Sequence, residues 1–130
     1  MIQHYFSGAP WEETIGYARA VKSGETIEIS GTTSVKNGEV HAPFDAFHQT
    51  VRIYEIINET LHQMGASLTD VTRIRIFVVN LPDNWQKVAE AHSAAIGNAR
   101  PAMSMIGITA LINPELLVEI EATAKITSNK

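Results

Sequence analysis

The run VTRIRIFVVN, residues 71–80, leaves this chain few choices. Ile74, Ile76 and Val78 alternate with Arg73, Arg75, Phe77 and Val79. A period of two means an extended strand with two different faces. The run LLVEIEATAKI, residues 116–126, repeats the pattern over a longer stretch. Leu116, Val118, Ile120, Ala122, Ala124 and Ile126 stand against Leu117, Glu119, Glu121, Thr123 and Lys125. Two strands that each carry an unbroken aliphatic face need a cover for it, and helices are the natural cover.

The rest of the chain supplies both helices and further strands. AVKSGETIEIS reads as two strands turning at Ser23-Gly24, with Ile27 and Ile29 on one side and Glu28 and Ser30 on the other. VKNGEV holds Asn37-Gly38, a strong hairpin signal because both residues tolerate positive φ. The spacing predicts a long helix from Asp45 to Met64, with Phe44, Phe47, Val51, Tyr54, Ile57, Leu61 and Met64 as its apolar stripe and Gly65 as its stop. A second helix is expected from Asp83, after Pro82, to Ile96, with Trp85, Val88, His92 and Ala95 inward and Gly97 at its end. RPAMSMIGI then forms a strand. One strand following another through a crossover helix implies that part of the sheet is parallel. The expectation is a single α+β domain over residues 1–130: a mixed sheet with two helices on one face.

Composition narrows the function classes. The 130 residues are 45% hydrophobic and 18% charged, a globular profile. The formal net charge of −4 speaks against a nucleic-acid partner, which normally needs a basic patch. With no cysteine there is no disulfide, thiol nucleophile or thiolate metal site. The opening MIQHYFSGAPWEE lacks the basic and apolar regions of a secretory signal, and no apolar run approaches a membrane span of about 20 residues. A cytoplasmic protein with no membrane partner is expected.

Placing the isoleucine-rich sides under the helices leaves an odd opposite face. On this reading it collects Ser30, Arg75, Phe77, Val79, Met103, Met105, Gly107, Glu119 and Glu121. Such a face is too apolar for water and too charged for a core. It fits an oligomer interface enclosing a cleft. The alternative is a half-exposed face on which Arg75 pairs with Glu119 or Glu121. Those two acids share one side of a strand, where mutual repulsion would lift one pKa and make a general base; an ion pair with a solvated edge explains them too. Ser30 and Ser104 lack the nucleophile-elbow context and read as hydrogen-bonding strand residues. The five histidines form no metal-ligand pattern, and His92 reads as a packing residue. Tyr17 could offer a phenol to a cleft or serve the fold alone.

GYARAV (16–21), ISGTTSV (29–35), MGASLTDV (64–71), RPAMSM (100–105) and VEIEATA (118–124) together resemble the RidA (YjgF, endoribonuclease L-PSP-like) family, in order and over nearly the whole chain. The SGAPWEETIGYARAV opening looks like a divergent branch. The resemblance implies a chorismate-mutase-like α+β sandwich, a homotrimer with clefts between subunits, and cofactor-free hydrolysis of reactive imines and enamines to carbonyl products and ammonia. It implies Glu119 as the catalytic, water-activating acid, and Tyr17 and Ser30 as substrate-binding residues. The family's carboxylate-clamping arginine falls at Met103 and its cysteine at Met105, so these would form an apolar, adaptable wall of the substrate site. A thioether cannot replace a guanidinium; losing that fork removes charge-assisted bonds worth about 1.5–3 kcal/mol each. Arg100, three residues earlier, is the nearest other guanidinium. The expected function is therefore a hydrolase whose imine or enamine substrate differs from the usual 2-imino acids. A non-catalytic small-molecule-binding protein is the first alternative, and an endoribonuclease, disfavoured by the acidic charge, the second. No metal site is expected.

Overall fold

Where the aliphatic residues of successive strands align, a six-stranded sheet forms. The structure, a computed structural model, describes residues 1–127. Its strands are β1 (Ile2–Tyr5), β2 (Ala20–Ser23), β3 (Thr26–Thr32), β6 (Val71–Val79), β7 (Ala102–Ile108) and β8 (Val118–Lys125), in the order β1-β2-β3-β8-β6-β7. All neighbours run antiparallel except β6 and β7, which are parallel. A separate hairpin, β4 (Val35–Lys36) and β5 (Glu39–Val40), turns at Asn37 and Gly38 with φ of 54° and 81°. Both residues take the positive φ that this tight turn needs. The opening strand β1 had no counterpart in the sequence reading: IQHY carries no alternating apolar signal and is largely exposed.

Helices α1 (Ala46–Gln63) and α2 (Leu81–Ile96) pack side by side on one face of the sheet, α1 over β3 and β8, α2 over β6 and β7. Ile27, Ile29, Ile74, Ile76, Val78, Val118 and Ile120 meet Ile53, Tyr54, Ile57, Leu61 and Val88 in the core. Asp45 caps α1, accepting a bond from the His48 backbone N–H at 3.0 Å. Its stripe is rotated from the expected one. Phe44 lies outside the helix and is exposed, while Gln49, Thr50 and Ile53 are buried. Gln49 is inside because its amide is fully employed: Nε2 donates to the carbonyls of Ala42 (2.9 Å) and Glu115 (2.8 Å), and Oε1 accepts from Leu117 N–H (2.8 Å). This brace holds the entry to β8. Helix α2 starts at Leu81, two residues before Asp83, because Pro82 is well accommodated in a first helical turn. Trp85 is 47% exposed rather than buried, and Val88, Ala91 and Ile96 form the inner stripe. Among the described residues no helix is long and apolar enough to cross a membrane.

Register decides the faces. Met103, Met105 and Gly107 of β7 pair with Ile74, Ile76 and Val78 of β6. In-register neighbours share a side of the sheet. The two methionines and Gly107 therefore lie on the helix side, not with Glu119 as the sequence reading placed them. Met105 packs against the core, and a Cβ at Gly107 would lie 3.2 Å from the Leu81 Cβ. Ala102, Ser104 and Ile106 take the open face instead. Arg73 confirms it by donating from Nη2 to the Ser104 hydroxyl at 2.7 Å.

Candidate functional site

The open face of the sheet gathers Arg73, Arg75, Phe77, Glu119, Glu121 and Ser30. Two observations organise it. Arg75 pairs with Glu121 at 3.6 Å, so the alternative foreseen for this face holds for Glu121. Glu119, half-buried, has no ion-pair partner within 4 Å among the described residues.

A bulge in β3 places Glu119's surroundings. Ile29 pairs with Ala122 and Thr32 with Ile120, so Ser30 and Gly31 together stand opposite Glu121 alone. Gly31 then comes against the Glu119 side chain: a Cβ there would lie 2.8 Å from both Cδ and Oε2. Only glycine leaves the carboxylate its place. Arg19 closes the arrangement. Its Nη2 donates to the Gly31 carbonyl at 2.7 Å, and its guanidinium carbon lies 5.7 Å from the centre of the Tyr17 ring. Its Nε is buried without a hydrogen-bond partner. Neither Arg19 nor Gly31 was singled out from sequence. Arg19 was nonetheless legible, since in YARAV it falls two residues after Tyr17, on the same side of an extended segment.

Burial pushes the Glu119 carboxyl above its ordinary value, Glu121 adds to the rise, and Arg19 opposes it. A carboxylate with raised affinity for a proton, beside a cation that keeps it ionisable, is suited to accept a proton from water. Ser30 donates its hydroxyl hydrogen to the Ala18 carbonyl at 2.7 Å. With the hydrogen so used, its oxygen meets a ligand as an acceptor. Tyr17 is set by a five-residue helical turn, Glu12–Gly16, and its N–H donates to the Glu12 carbonyl at 2.9 Å. Tyr17 and Ser30 line one open hollow of about 470 Å³ with His4, Phe6 and Val21.

The structure sets Tyr17 and Ser30 on this hollow and Glu119 beside it, against Gly31 next to Ser30, and leaves Met103 and Met105 outside the group. Met103 is two strand spacings from β8, about 10 Å, and on the opposite face of the sheet. It lines a second hollow of about 410 Å³ together with His92 and Arg100.

Comparisons with known proteins agree on the relationship. The profile of the family described as Endoribonuclease L-PSP matches residues 9–126. A crystal structure of a Mycobacterium tuberculosis protein, described as a member of the YjgF family, is 40% identical and superposes with a TM-score of 0.87, over 97% of this chain and 100% of that one. A RutC family protein of Pyrococcus abyssi is 32% identical over 110 residues, 83% of this chain and 84% of its own length. A 3-aminoacrylate deaminase, RutC of Acinetobacter baylyi, is 29% identical, covering 85% of this chain and 86% of its own length.

Proposed function

Because the chain belongs to the YjgF/RidA (endoribonuclease L-PSP) family, we propose that it hydrolyses a small imine or enamine, with Glu119 as the general base. The observation that carries this reading is the Glu119 carboxylate, half-buried against Gly31, free of an ion pair among the described residues, and shifted toward a higher pKa by burial. Glu119 takes a proton from water as the oxygen attacks the C=N carbon. That proton passes to nitrogen, the adduct's hydroxyl proton follows it as the C–N bond breaks and the C=O forms, and the products are a carbonyl compound and ammonia; an enamine first gains a proton at carbon and loses one from nitrogen to become the imine. Tyr17 offers its phenol to the substrate. The Ser30 oxygen accepts a hydrogen bond from the substrate N–H. Arg19 keeps Glu119 ionised enough to act. The name of the Acinetobacter relative, a deaminase of an enamine acid, supports the reaction class.

The working unit is a homotrimer with clefts between chains. Within one chain, Glu119 and Met103 lie on opposite faces and cannot touch one small molecule. They share a ligand when the β7 edge of one copy lies against the open face of the next. Met103 and Met105 then supply an apolar wall, and a substrate is not held by its carboxylate at position 103.

Ammonia release from freshly generated imines tests this. Glu119→Gln is expected to lower kcat/KM at least about a hundredfold, the usual weight of a general base. An unchanged rate would remove Glu119 from the mechanism. Met103 favours a second reading, a binding protein without turnover. Metabolites that raise the melting temperature while none releases ammonia would establish that reading instead.

A further inference from the structure

Glu12 is a buried carboxylate in a segment that builds no core. It is 4% exposed, while Phe6, Ser7, Gly8 and Trp11 are open to solvent. No residue from 6 to 16 belongs to the hydrophobic core. Glu12 makes no ion pair among the described residues. A buried carboxylate without a cation needs hydrogen bonds in its place. Three donors supply them. The Ser7 N–H (3.0 Å) and Gly8 N–H (3.3 Å) reach Oε1, and the Ser7 hydroxyl donates to Oε2. Consecutive backbone N–H groups converging on one anion form a nest, and the chain turns there through Gly8 at φ 92°.

The main chain of the same residue holds Tyr17. The Glu12 carbonyl accepts the Tyr17 N–H at 2.9 Å, and Gly16, at φ 98°, turns the chain just before it. This closure spans five residues and is wider than an α-helical turn; such turns are rare and gather at functional sites. The Glu12 N–H donates to the Ala9 carbonyl at 3.1 Å, so every polar group of Glu12 is employed. Its side chain grips the residues before it, and its carbonyl grips the residue after the turn. Among the described residues, the bonds between Glu12 and residues 7 and 8 are the only ones that a side chain of segment 6–16 makes. Glu12 lies on the wall of the hollow that Tyr17 and Ser30 line, with both oxygens turned to donors of its own chain.

We propose that Glu12 is a positioning residue for Tyr17: its carboxylate, clamped on Ser7 and Gly8, fixes the wide turn that aims the phenol at the substrate. The inference rests on the reading under Proposed function for the chemistry, and adds to it a residue that acts without touching the substrate. Its weight falls on rate, because the segment contributes nothing to the core and a group misplaced by about 1 Å loses about a hundredfold in rate.

The chain has three tyrosines, Tyr5, Tyr17 and Tyr54, so ring-labelled tyrosine gives a simple NMR spectrum in which Tyr17 is identified by its loss in Tyr17→Phe. Glu12→Gln keeps the size of the side chain and removes its charge and one acceptor oxygen. It is expected to move the Tyr17 ring signals, to leave those of Tyr54 in place, and to lower kcat for imine hydrolysis at least about tenfold. Tyr17→Phe is expected to be slow as well. Adding Glu12→Gln to it should cost less than about a further twofold, since residues that act as a unit are not additive. Ser7→Ala, which removes one donor and leaves the carboxylate, is expected to produce the same changes at smaller size, and it carries the test where Glu12→Gln does not fold. An unmoved Tyr17 ring would overturn the inference. So would an equal loss of rate from Glu12→Gln in the wild-type and Tyr17→Phe backgrounds, the mark of a merely structural role. A wild-type protein that releases no ammonia from any imine would remove the proposed hydrolysis alone; the ring spectrum then decides by itself whether Glu12 sets Tyr17.

Discussion

Glu119 is held between opposing influences, and stability should register them. Its carboxyl has a raised pKa in the folded chain. A raised carboxyl pKa means the folded state binds the proton more readily than the unfolded one. The stability this confers is complete below the ordinary value of 4.5 and is lost as pH rises through the folded pKa. At pH 7 the ionised side chain therefore weakens the fold. Glu119→Gln is expected to raise the melting temperature by about 1–4 °C at pH 7 and by almost nothing at pH 4, even as it removes activity. Thermal melts at the two pH values check this. Equal gains at both would mean that the carboxylate is not penalised by its site.

Among the elements, α1 does the most to place the site. Its cap fixes where the helix begins, and Gln49, one turn in, fixes where β8 enters the sheet. The Asp45 carboxyl is held below its ordinary value chiefly by the bond from the His48 backbone N–H. Asp45→Ala is expected to cost about 1 kcal/mol, or about 3–6 °C of melting temperature. Since the Asp45 pKa is lowered, its contribution is present above the ordinary value of 3.8 and fades as pH falls below it. The difference between wild type and Asp45→Ala should shrink accordingly in melts taken below pH 3. An unchanged melting temperature at pH 7 would show that tertiary packing alone starts the helix. The helix periods were legible in the sequence to within two residues at each end. The inward faces were less so. Phe44 and Trp85 look like core residues by hydropathy, yet Gln49 takes a buried place because three backbone groups need its amide.

For the whole molecule, the decisive surface is the open face of the sheet. Ile106 is 44% exposed there, beside half-buried Phe77 and Val79. Light scattering is expected to return about three times the 14.3 kDa chain mass, as the proposed trimer requires. Phe77→Asp, which places a charge in the centre of that face, should shift the mass to that of one chain while the far-UV spectrum is kept. A wild-type protein that scatters as a monomer at micromolar concentration would remove the inter-chain cleft.

Alternation along VTRIRIFVVN and LLVEIEATAKI was enough to establish the strands and their aliphatic sides, the two helical periods added the two-layer α+β class, and the five motifs in order carried the resemblance to the family. It was enough because a period of two, or of 3.6, is written into a segment's own residues. Each motif was likewise local, and Tyr17, Ser30 and Glu119 could be picked out one by one. Which strand face looks which way is not a local property. RPAMSMIGI alternates equally well in either sense, and it took the parallel pairing of Met103 with Ile74 to turn its methionines toward α2. The bulge that sets Gly31 against Glu119, and the meeting of His92 with Tyr54 across 38 residues, are long-range contacts of the same kind. Register and packing between distant segments arranged them, and those depend on how the whole chain buries its aliphatic surface.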